Sequence, residues 1–507
     1  MQMASLRVGR AGGWPRSAVI RALAHATNNG LRIVNMSGGY NTNYANIEQA
    51  VRNFPGLLIA TAGNNAQNNG RFPGALNLPN VIGVGALDSS GQRSIWRNSA
   101  GVYAGSSGFG TNIDIFAPGT DIYTTDRCVV GVRRVNGTSV AAPHVAGVAA
   151  LMLSANPNLT GPQLRNHILN SADRIYIGTP IGTMNVRSLN AENAVRLAHG
   201  LPLAVRTFGQ LHNIRHNTSG SFQLMNNIDL SSNFQVLNRG INPNMPWTPI
   251  PNFTGVLDGR GYAIENMNIT SAGNGANVGL FGINSGTITN LRIHNSNINL
   301  PYDGVSNNIG FIAGINHGTI RNVGVFSSYI EAIRWNANIG GIVGINHGEI
   351  NTARFEFGHV IGAGNLGGIA GANMGTTTSH PWVRHTEIRH ATIGHHLVHV
   401  NRAVGGIVGH NERAFLWDSS VHNTVVTNIS VWNAWQFSPP MGLIVGTLHY
   451  SNLERVGRTN SYLRRGALAD SQLAFFGRFW DPSWPWAGNV TGITHILSLP
   501  LPEEFAA

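Results

Sequence analysis

Hydrophobic positions in residues 1–200 follow two alternating patterns. Helical spacing predicts helices over 17–29 and 44–54, with Gly30 as the stop of the first. Short uninterrupted apolar runs, bounded by Gly, Asn and Pro, cover 31–36, 56–62 and 81–86. Runs of this kind are typical of parallel strands that are buried on both faces. The alternation therefore predicts an α/β region with a parallel sheet covered by helices.

Beyond residue 200 the pattern becomes one of short apolar runs separated by Asn and Gly. A segment containing Asn284 returns around Asn316 and Asn346, with weaker copies around Asn373 and Asn411. A period of about 30 residues is typical of a repeat array, in which each unit buries its apolar face only by stacking on its neighbours. The sequence predicts a β-solenoid with Ile and Val inside and Asn-x-Gly turns at one corner.

These patterns divide the chain into four parts. We expect the α/β region over 1–200, a linker over 201–206 and the solenoid over 207–460. The solenoid opens with a short helix, because Thr207 and Gln210 have the spacing of a capping box. Residues 461–507 form a C-terminal cap or tail.

Composition and charge exclude several classes of protein. There are 33 Lys+Arg and 22 Asp+Glu, a net charge of +11, yet the Arg residues are scattered rather than gathered in a stripe, which argues against nucleic-acid binding. The single cysteine excludes an intrachain disulfide. We find no apolar run long enough for a signal peptide at the N-terminus and none long enough for a membrane span.

The segment Gly-Thr-Ser-Val-Ala-Ala-Pro-His-Val-Ala-Gly over 137–147 carries candidate chemistry. It predicts a helix to about Ser154 that begins at Ser139. A serine at a helix N-terminus lies among N–H groups that have no intrahelical partner, and these groups favour a developing oxyanion. The structural alternative is an N-cap serine on a buried, Ala-rich helix.

This segment resembles the serine motif of the subtilisin-like serine peptidases. Similar family segments follow the same order along the chain, namely Asn35–Gly39, Ala60–Asn64, Ala117–Gly119 and Leu189–Val195. The resemblance implies a serine endopeptidase that acts on polypeptide substrates in the extracellular space or at the cell surface. Bound calcium is common in the family, but the sequence offers no ligand set, and we identify no cofactor and no metal site.

Carried over residue by residue, the resemblance assigns five positions. Ser139 would be the nucleophile, and the Asn64 amide would donate to the oxyanion together with the Ser139 N–H. Ser37, Gly38 and Gly39 would pair with the substrate backbone as an added strand.

The triad Asp and His are not found at the expected positions. In the family both precede the Ser-Gly-Gly strand, but here the first aspartate is Asp88, and His25 is the only earlier histidine. His144 lies on the serine helix and is not the family's base. We therefore expect a chain that begins inside the catalytic domain and is practically inactive by itself.

The repeats resemble the GLUG-type repeats of bacterial surface and secreted proteins, over roughly 205–460. An alternative function is therefore non-catalytic surface adhesion, with a cell-surface or glycan ligand at the solenoid. In a further alternative, another chain supplies the missing Asp and His.

We interpret two clusters of side chains, one of histidines and one of aromatic residues, as parts of the structure rather than as binding sites. Histidines crowd residues 380–399, where no metal-ligand spacing stands out, so solvated solenoid faces are expected. Aromatic residues crowd 475–486, where a cap over the last coil is expected and a carbohydrate platform is the alternative.

Overall fold

A computed structural model describes most of the chain. The described residues are 3–9, 13–125, 131–231, 246–272, 275–300, 308–332, 337–395, 402–428, 441–442, 444–449, 452–459, 461–465, 476–479, 490–491 and 494–495. They divide into two compact units, one over Met1–Ala204 and one that begins at Val205.

The first unit alternates helices and strands. In chain order its elements are α1 (Arg16–Asn28), β1 (Ile33–Met36), α2 (Ala45–Asn53), β2 (Leu57–Thr61), β3 (Val81–Leu87), β4 (Ile95–Arg97), β5 (Tyr103–Ser106), β6 (Ile115–Pro118), β7 (Ile122–Thr125), β8 (Val132–Val135), α3 (Thr138–Ala155), α4 (Gly161–Ser171), β9 (Asp173–Thr179), β10 (Gly182–Ser188) and α5 (Ala191–Ala198).

The main sheet has the strand order β1-β2-β3-β6-β10-β9. Strands β1, β2, β3 and β6 pair in parallel, as the apolar runs predict, and β9 adds an antiparallel edge. Helices cover both faces. Alternate residues of β2 face opposite ways: Leu57 and Ile59 pack with α3, α4 and α5, while Leu58 and Ala60 pack with α1 and α2. The predicted parallel sheet covered by helices is confirmed.

The second unit begins at Val205, the last residue of strand Leu203–Val205, and continues with helix α6 (Phe208–Asn213) and a short 3-10 turn (Ile214–His216). The Thr207 Oγ1 accepts a hydrogen bond from the Gln210 N–H at 3.3 Å, as the capping pattern predicts. The Gln210 side chain turns back one residue further than expected, because its Oε1 accepts from the Arg206 N–H at 2.8 Å.

Beyond this helix, successive coils of the described chain pair in parallel through four sheets. The largest has strands Ser221–Leu224, Ile228–Asp229, Val256–Asp258, Ala263–Glu265, Thr287–Thr289, Arg292–His294, Thr319–Phe326, Glu349–Glu356, Trp382–Arg384, Glu387–Arg389, Phe415–His422, Asn452–Thr459, Val490–Thr491 and Thr494–His495. A second has Ile250–Phe253, Phe281–Asn284, Ala313–Asn316, Val343–Asn346, Ala370–Met374, Val408–Glu412, Val445–His449 and Phe476–Phe479.

The two other sheets complete each coil. One contains Asn268–Ile269, Asn297–Leu300, Tyr329–Ala332, His359–Gly362, Thr392–His395, Val425–Asn428 and Tyr462–Arg465. The other contains Asn277–Val278, Asn308–Gly310, Asn338–Gly340, Asn365–Gly367, Val404–Gly405 and Met441–Gly442.

The repeated asparagines form a buried ladder that sets the register of the coils. Each Nδ2 donates to the Oδ1 of the asparagine one coil further along, at 2.8–2.9 Å, through Asn284, Asn316, Asn346, Asn373 and Asn411. All five side chains are fully buried. A displaced coil would leave these amides without partners, so the ladder disfavours slippage. Buried apolar columns stack in the same register, among them Ile288, Ile320, Ile350, Val383 and Leu416.

The histidine cluster does not form a metal site within the described residues, where no group of three or more metal-binding side chains is found. His380, His385 and His390 are exposed, whereas His395 is fully buried. His396 and His399 lie outside the described residues, as do the side chains of the aromatic cluster over 475–486.

His395 is held as a neutral ring. Its Nε2 donates to the Gly364 carbonyl at 2.9 Å, and its Nδ1 is buried without a partner in the described part of the chain. Burial lowers the pKa of His395 from 6.5 to about 4, against a small opposing effect of the Gly364 hydrogen bond. Protonation therefore favours the unfolded chain, whose histidine has the ordinary pKa.

We predict that acid destabilises the stacked coils partly through His395. Between pH 6.5 and 4 the unfolded state takes up this proton and the folded state does not, so stability falls as pH decreases, by about 3 kcal/mol in all. Urea unfolding at pH 7.0 and 4.5 should show a smaller pH-dependent loss for His395→Gln than for the unsubstituted chain. His380→Gln, at an exposed position, is the control; equal losses in all three proteins would contradict the prediction.

Candidate active site

The sequence-predicted site residues lie where two strands end and one helix begins. Strand β1 ends at Met36 and leads into Ser37–Gly39, and strand β2 ends at Thr61, three residues before Asn64. Because β1 and β2 are adjacent and parallel, their carboxyl ends share one edge of the sheet. Helix α3 packs against both strands and brings Ser139, its second residue, to the same place.

Thr138 fixes the side chain of Asn64. Its N–H and its Oγ1 both donate to the Asn64 Oδ1, at 3.0 and 2.9 Å. Two donors on one oxygen define which end of the amide is the acceptor, so the Nδ2 faces the other way. Asn64 itself is half-buried, and its Nδ2 makes no hydrogen bond within the described residues. The amide is therefore oriented so that its Nδ2 can donate a hydrogen bond to a ligand oxygen.

The Ser139 hydroxyl and the Asn64 amide face one point. A β-carbon built on Gly137 would lie 3.0 Å from the Ser139 Oγ and 3.3 Å from the Asn64 Nδ2. Gly137 also has a φ of +150°, which disfavours any residue with a β-carbon. Glycine at 137 therefore leaves open the space between the Ser139 hydroxyl and the Asn64 Nδ2.

The start of α3 adds a second donor to this space. The N–H of Ser139 is among the first four of the helix, which have no intrahelical acceptor, and the helix dipole adds positive potential there. Ser139 is half-buried, so a substrate can reach its hydroxyl. This arrangement can stabilise negative charge that develops on an oxygen beside Ser139.

Residues 37–39 follow β1 without forming a sheet, and the Gly38 N–H donates to the Met36 carbonyl at 2.8 Å in a tight turn. The Ser37 Oγ donates to the Ser139 carbonyl at 2.7 Å and accepts from the Asn35 Nδ2 at 3.0 Å. Ser37 thus joins the end of β1 to α3, a positioning contact that the sequence analysis did not foresee. The indole of Trp14, another residue missed from the sequence, lies against Gly38.

No histidine of the described chain hydrogen-bonds to the Ser139 Oγ. The His144 Nδ1 donates to the Val140 carbonyl at 2.9 Å, one turn back on α3, which turns the ring away from a base's position. His25 is exposed on α1. Asp88 is engaged in a turn with Ser90 and Gln92. The candidate site therefore brings together Ser139, Asn64 and 37–39. The side chains of His144, His25 and Asp88 are not part of it.

Among the described helices, only α3 is long and apolar enough to cross a membrane by length and composition. Its Ala141, Ala142 and Val145 are fully buried in the core between the sheet and the helices. These contacts are those of the central helix of a folded domain.

Comparison with known proteins finds relatives of the first unit. Residues 1–201 match the Subtilase family. Alkaline elastase YaB of Bacillus sp. (strain YaB) is 36% identical over 192 residues, which cover 37% of this chain and 47% of the elastase. Residues 1–201 are subtilisin-like. Subtilisin Savinase of Lederbergia lenta is 33% identical to the subtilisin-like domain over 195 residues, covering 37% of this chain and 65% of the relative.

Among solved structures, that of the patellamide maturation protease PatA is 29% identical to this chain, with a TM-score of 0.32. The match covers 39% of this chain and 73% of that chain. The curated relatives extend beyond the match, since the chain spans about half of the elastase's length and about two thirds of Savinase's.

We predict that a side chain at 137 disrupts the site of the subtilisin-like domain. Gly137→Ala should lower the free energy of unfolding by about 1–3 kcal/mol, because alanine is strained at this φ and its methyl group meets the Ser139 hydroxyl. Gly147→Ala is the matched control, since Gly147 lies in the same helix with nothing within 4 Å of an added β-carbon, and it should be neutral or stabilising. Equal urea midpoints for the two variants would contradict this account.

Proposed function

We propose that the subtilisin-like domain is built for peptide-bond hydrolysis by a serine nucleophile. The supporting observation is the convergence of the Ser139 Oγ and the Asn64 Nδ2 on the space beside Gly137. The Oγ of Ser139 attacks the peptide carbonyl carbon, and the carbonyl oxygen becomes an oxyanion. The Asn64 Nδ2 and the Ser139 N–H donate to that oxygen. The C–N bond then breaks, the amine leaves with the proton given up by the Ser139 hydroxyl, and an acyl group remains on Ser139. Water attacks this acyl group, which releases the acid and restores the hydroxyl.

The substrate of this reaction is an extended polypeptide. Residues 37–39 offer backbone donors and acceptors next to Ser139, and a substrate strand pairs with them so that its carbonyl lies beside the hydroxyl. The Ser37–Ser139 hydrogen bond holds this binding segment against the nucleophile's helix. A shift of the segment would therefore displace the substrate and the nucleophile together.

Proton transfer limits the reaction in this polypeptide. The Ser139 hydroxyl must lose its proton to attack, and no imidazole of the described residues hydrogen-bonds to it. In subtilisin, removal of the catalytic histidine alone costs about 2 × 10⁶ in kcat, and about 10³–10⁴ over water remains from the oxyanion hole and binding. We infer that the chain by itself is a very slow hydrolase and that a base supplied by another chain would activate it.

A fluorophosphonate probe tests this proposal. The chain should label slowly at Ser139 and not at all as Ser139→Ala, and Asn64→Ala should lower the slow rate by about 10²–10³, because one oxyanion donor is lost. Intact-mass and peptide mass spectrometry identify the labelled residue. Fast labelling, at the rate of an active serine peptidase, would show that a base does reach Ser139. Labelling unaffected by Ser139→Ala would overturn the assignment of the nucleophile.

Two further assignments rest on the stacked coils and on the relatives of the first domain. We propose that the stacked coils form a GLUG-type β-solenoid, because Asn-x-Gly segments recur in the four successive coils from Asn284 to Asn373 and their asparagines pair from coil to coil. Relatives of the first domain include subtilisins, and we propose that this protein likewise works outside the cell or at its surface.

Binding at the coils is a second candidate function. Tyr329, Phe357 and Trp382 are 48, 54 and 38% exposed on the outside of successive coils. Each ring contacts a ring on the next coil, namely His359, His390 and Phe415, at centroid distances of 5.0, 4.9 and 4.4 Å, so three separate aromatic pairs are held at the surface. Exposed aromatic pairs of this kind offer flat apolar faces that suit a glycan or cell-wall ligand.

We predict that serine at these three positions reduces retention of the chain on purified peptidoglycan and on insoluble chitin. Val256→Ser, which removes an exposed apolar side chain from another coil, is the control. Sedimentation with the insoluble polymer measures the bound fraction. Equal retention of the triple variant and the control on both polymers, or no retention of the unsubstituted chain, would contradict this function.

A further inference from the structure

We propose that Arg71 selects an acidic side chain on the substrate residue whose carbonyl Ser139 attacks. This inference rests on the proposed peptidase function and names the substrate class for that same site. It depends on where the Arg71 side chain lies, on its lack of a partner and on the path that the substrate must take.

Arg71 lies between the two segments that form the site. Its Cδ and Cγ are 2.5 and 2.7 Å from the position of a β-carbon on Gly63, the residue before Asn64. Its own Cβ is 3.6 Å from the position of a β-carbon on Gly39, the last residue of the substrate-binding segment. The neighbouring backbone is fixed, because Tyr40 and Phe72 exchange two hydrogen bonds, at 2.7 and 3.2 Å.

The charge of Arg71 is not compensated inside the described part of the chain. Its side chain is half-buried, its Nε is fully buried without a hydrogen-bond partner, and no carboxylate of the described residues pairs with it. The Gln67 Oε1, also close to Gly63, is buried and unpartnered as well. A buried guanidinium nitrogen without an acceptor is costly, and an incoming carboxylate would supply that acceptor.

The substrate's path leads to this guanidinium. A strand paired with 37–39 whose carbonyl lies between Ser139 and Asn64 must direct the side chain of that residue between Gly39 and Gly63. The Arg71 stem and the Gln67 Oε1 occupy the position of a β-carbon on Gly63, and the Phe72 carbonyl lies closest to that of Gly39, so Arg71 lines this space from the Gly63 side. Arginine binds a carboxylate through two parallel N–H···O bonds, a geometry that lysine and neutral side chains do not reproduce. Asp and Glu are therefore the side chains that this space accommodates best.

The test uses product-like peptides, so it does not require turnover. Acetyl-Ala-Ala-Pro-Glu and acetyl-Ala-Ala-Pro-Gln have the same shape and differ in one charge. Isothermal titration calorimetry of the full chain should show that the Glu peptide binds about tenfold more tightly, as expected for a hydrogen-bonded charge pair. High salt should reduce this preference.

Three variants locate the effect. Arg71→Met keeps an unbranched apolar stem beside Gly63 and should abolish the preference for Glu, whereas Arg71→Lys should retain part of it. Arg21→Met, on the exposed face of α1, removes the same charge elsewhere and should leave the preference unchanged. If Arg71→Met does not fold, Arg71→Lys still decides the question, because a reduced preference for the Glu peptide supports the role of Arg71 and an unchanged preference contradicts it.

The outcomes separate this inference from the function on which it rests. If both peptides bind and Gln binds as tightly as Glu, or if Arg71→Met keeps the full preference, the role of Arg71 is overturned and the peptidase proposal stands. If neither peptide binds to the unsubstituted chain, both are overturned, because the segment over 37–39 then does not receive a polypeptide.

Discussion

The pair of hydrogen bonds from Thr138 to the Asn64 Oδ1 is the contact on which the subtilisin-like site depends. It joins the turn after β2 to the first residue of α3, 74 positions later in the chain. It also sets the direction of the amide, because an oxygen that accepts twice leaves only the Nδ2 to face the substrate. Without it, Ser139 would still begin a helix, but the donor opposite would be free to rotate.

This contact is held in place by packing from both sides of the sheet. The β2 residues that face α3 and those that face α1 and α2 are fully buried, so neither the turn carrying Asn64 nor the start of α3 can shift without disturbing a core. Ser37 then links the end of β1 to the same helix. Oxyanion donors are effective when they need no reorganisation, and this rigidity supplies that condition.

The stacked coils follow a different constraint. Their register is set by hydrogen bonds between asparagine amides at equivalent positions of successive coils. Each buried amide therefore needs the amide of the next coil as its partner. The buried His395 shows how such an interior handles a titratable group, since burial keeps its ring neutral and lowers its pKa to about 4. Acid sensitivity is a direct consequence of placing that ring inside the stack.

Most elements of the first unit could be predicted from the sequence. The elements and contacts that could not be predicted share one physical reason, the lack of a local sequence signal. The apolar runs located β1, β2 and β3, and the segment around Ser139 located the start of α3, because these signals are local. The antiparallel β9–β10 edge and helix α4 lacked a strong periodic signal. The roles of Thr138, Trp14 and Arg71 depend on contacts with Asn64, Gly38 and Gly63. Thr138 and Asn64 lie 74 positions apart, and the nearer pairs follow no periodicity that marks a contact, so no single segment carries a pattern for them.

The most direct test of the central claim is a crystal structure of the chain after reaction with a fluorophosphonate. The account predicts a phosphonyl group on the Ser139 Oγ with one oxygen about 2.7–3.1 Å from both the Asn64 Nδ2 and the Ser139 N–H, and with the Thr138–Asn64 hydrogen bonds unchanged. A phosphonyl oxygen that points to solvent, with Asn64 turned away from it, would contradict the claim that this space is built to hold an oxyanion.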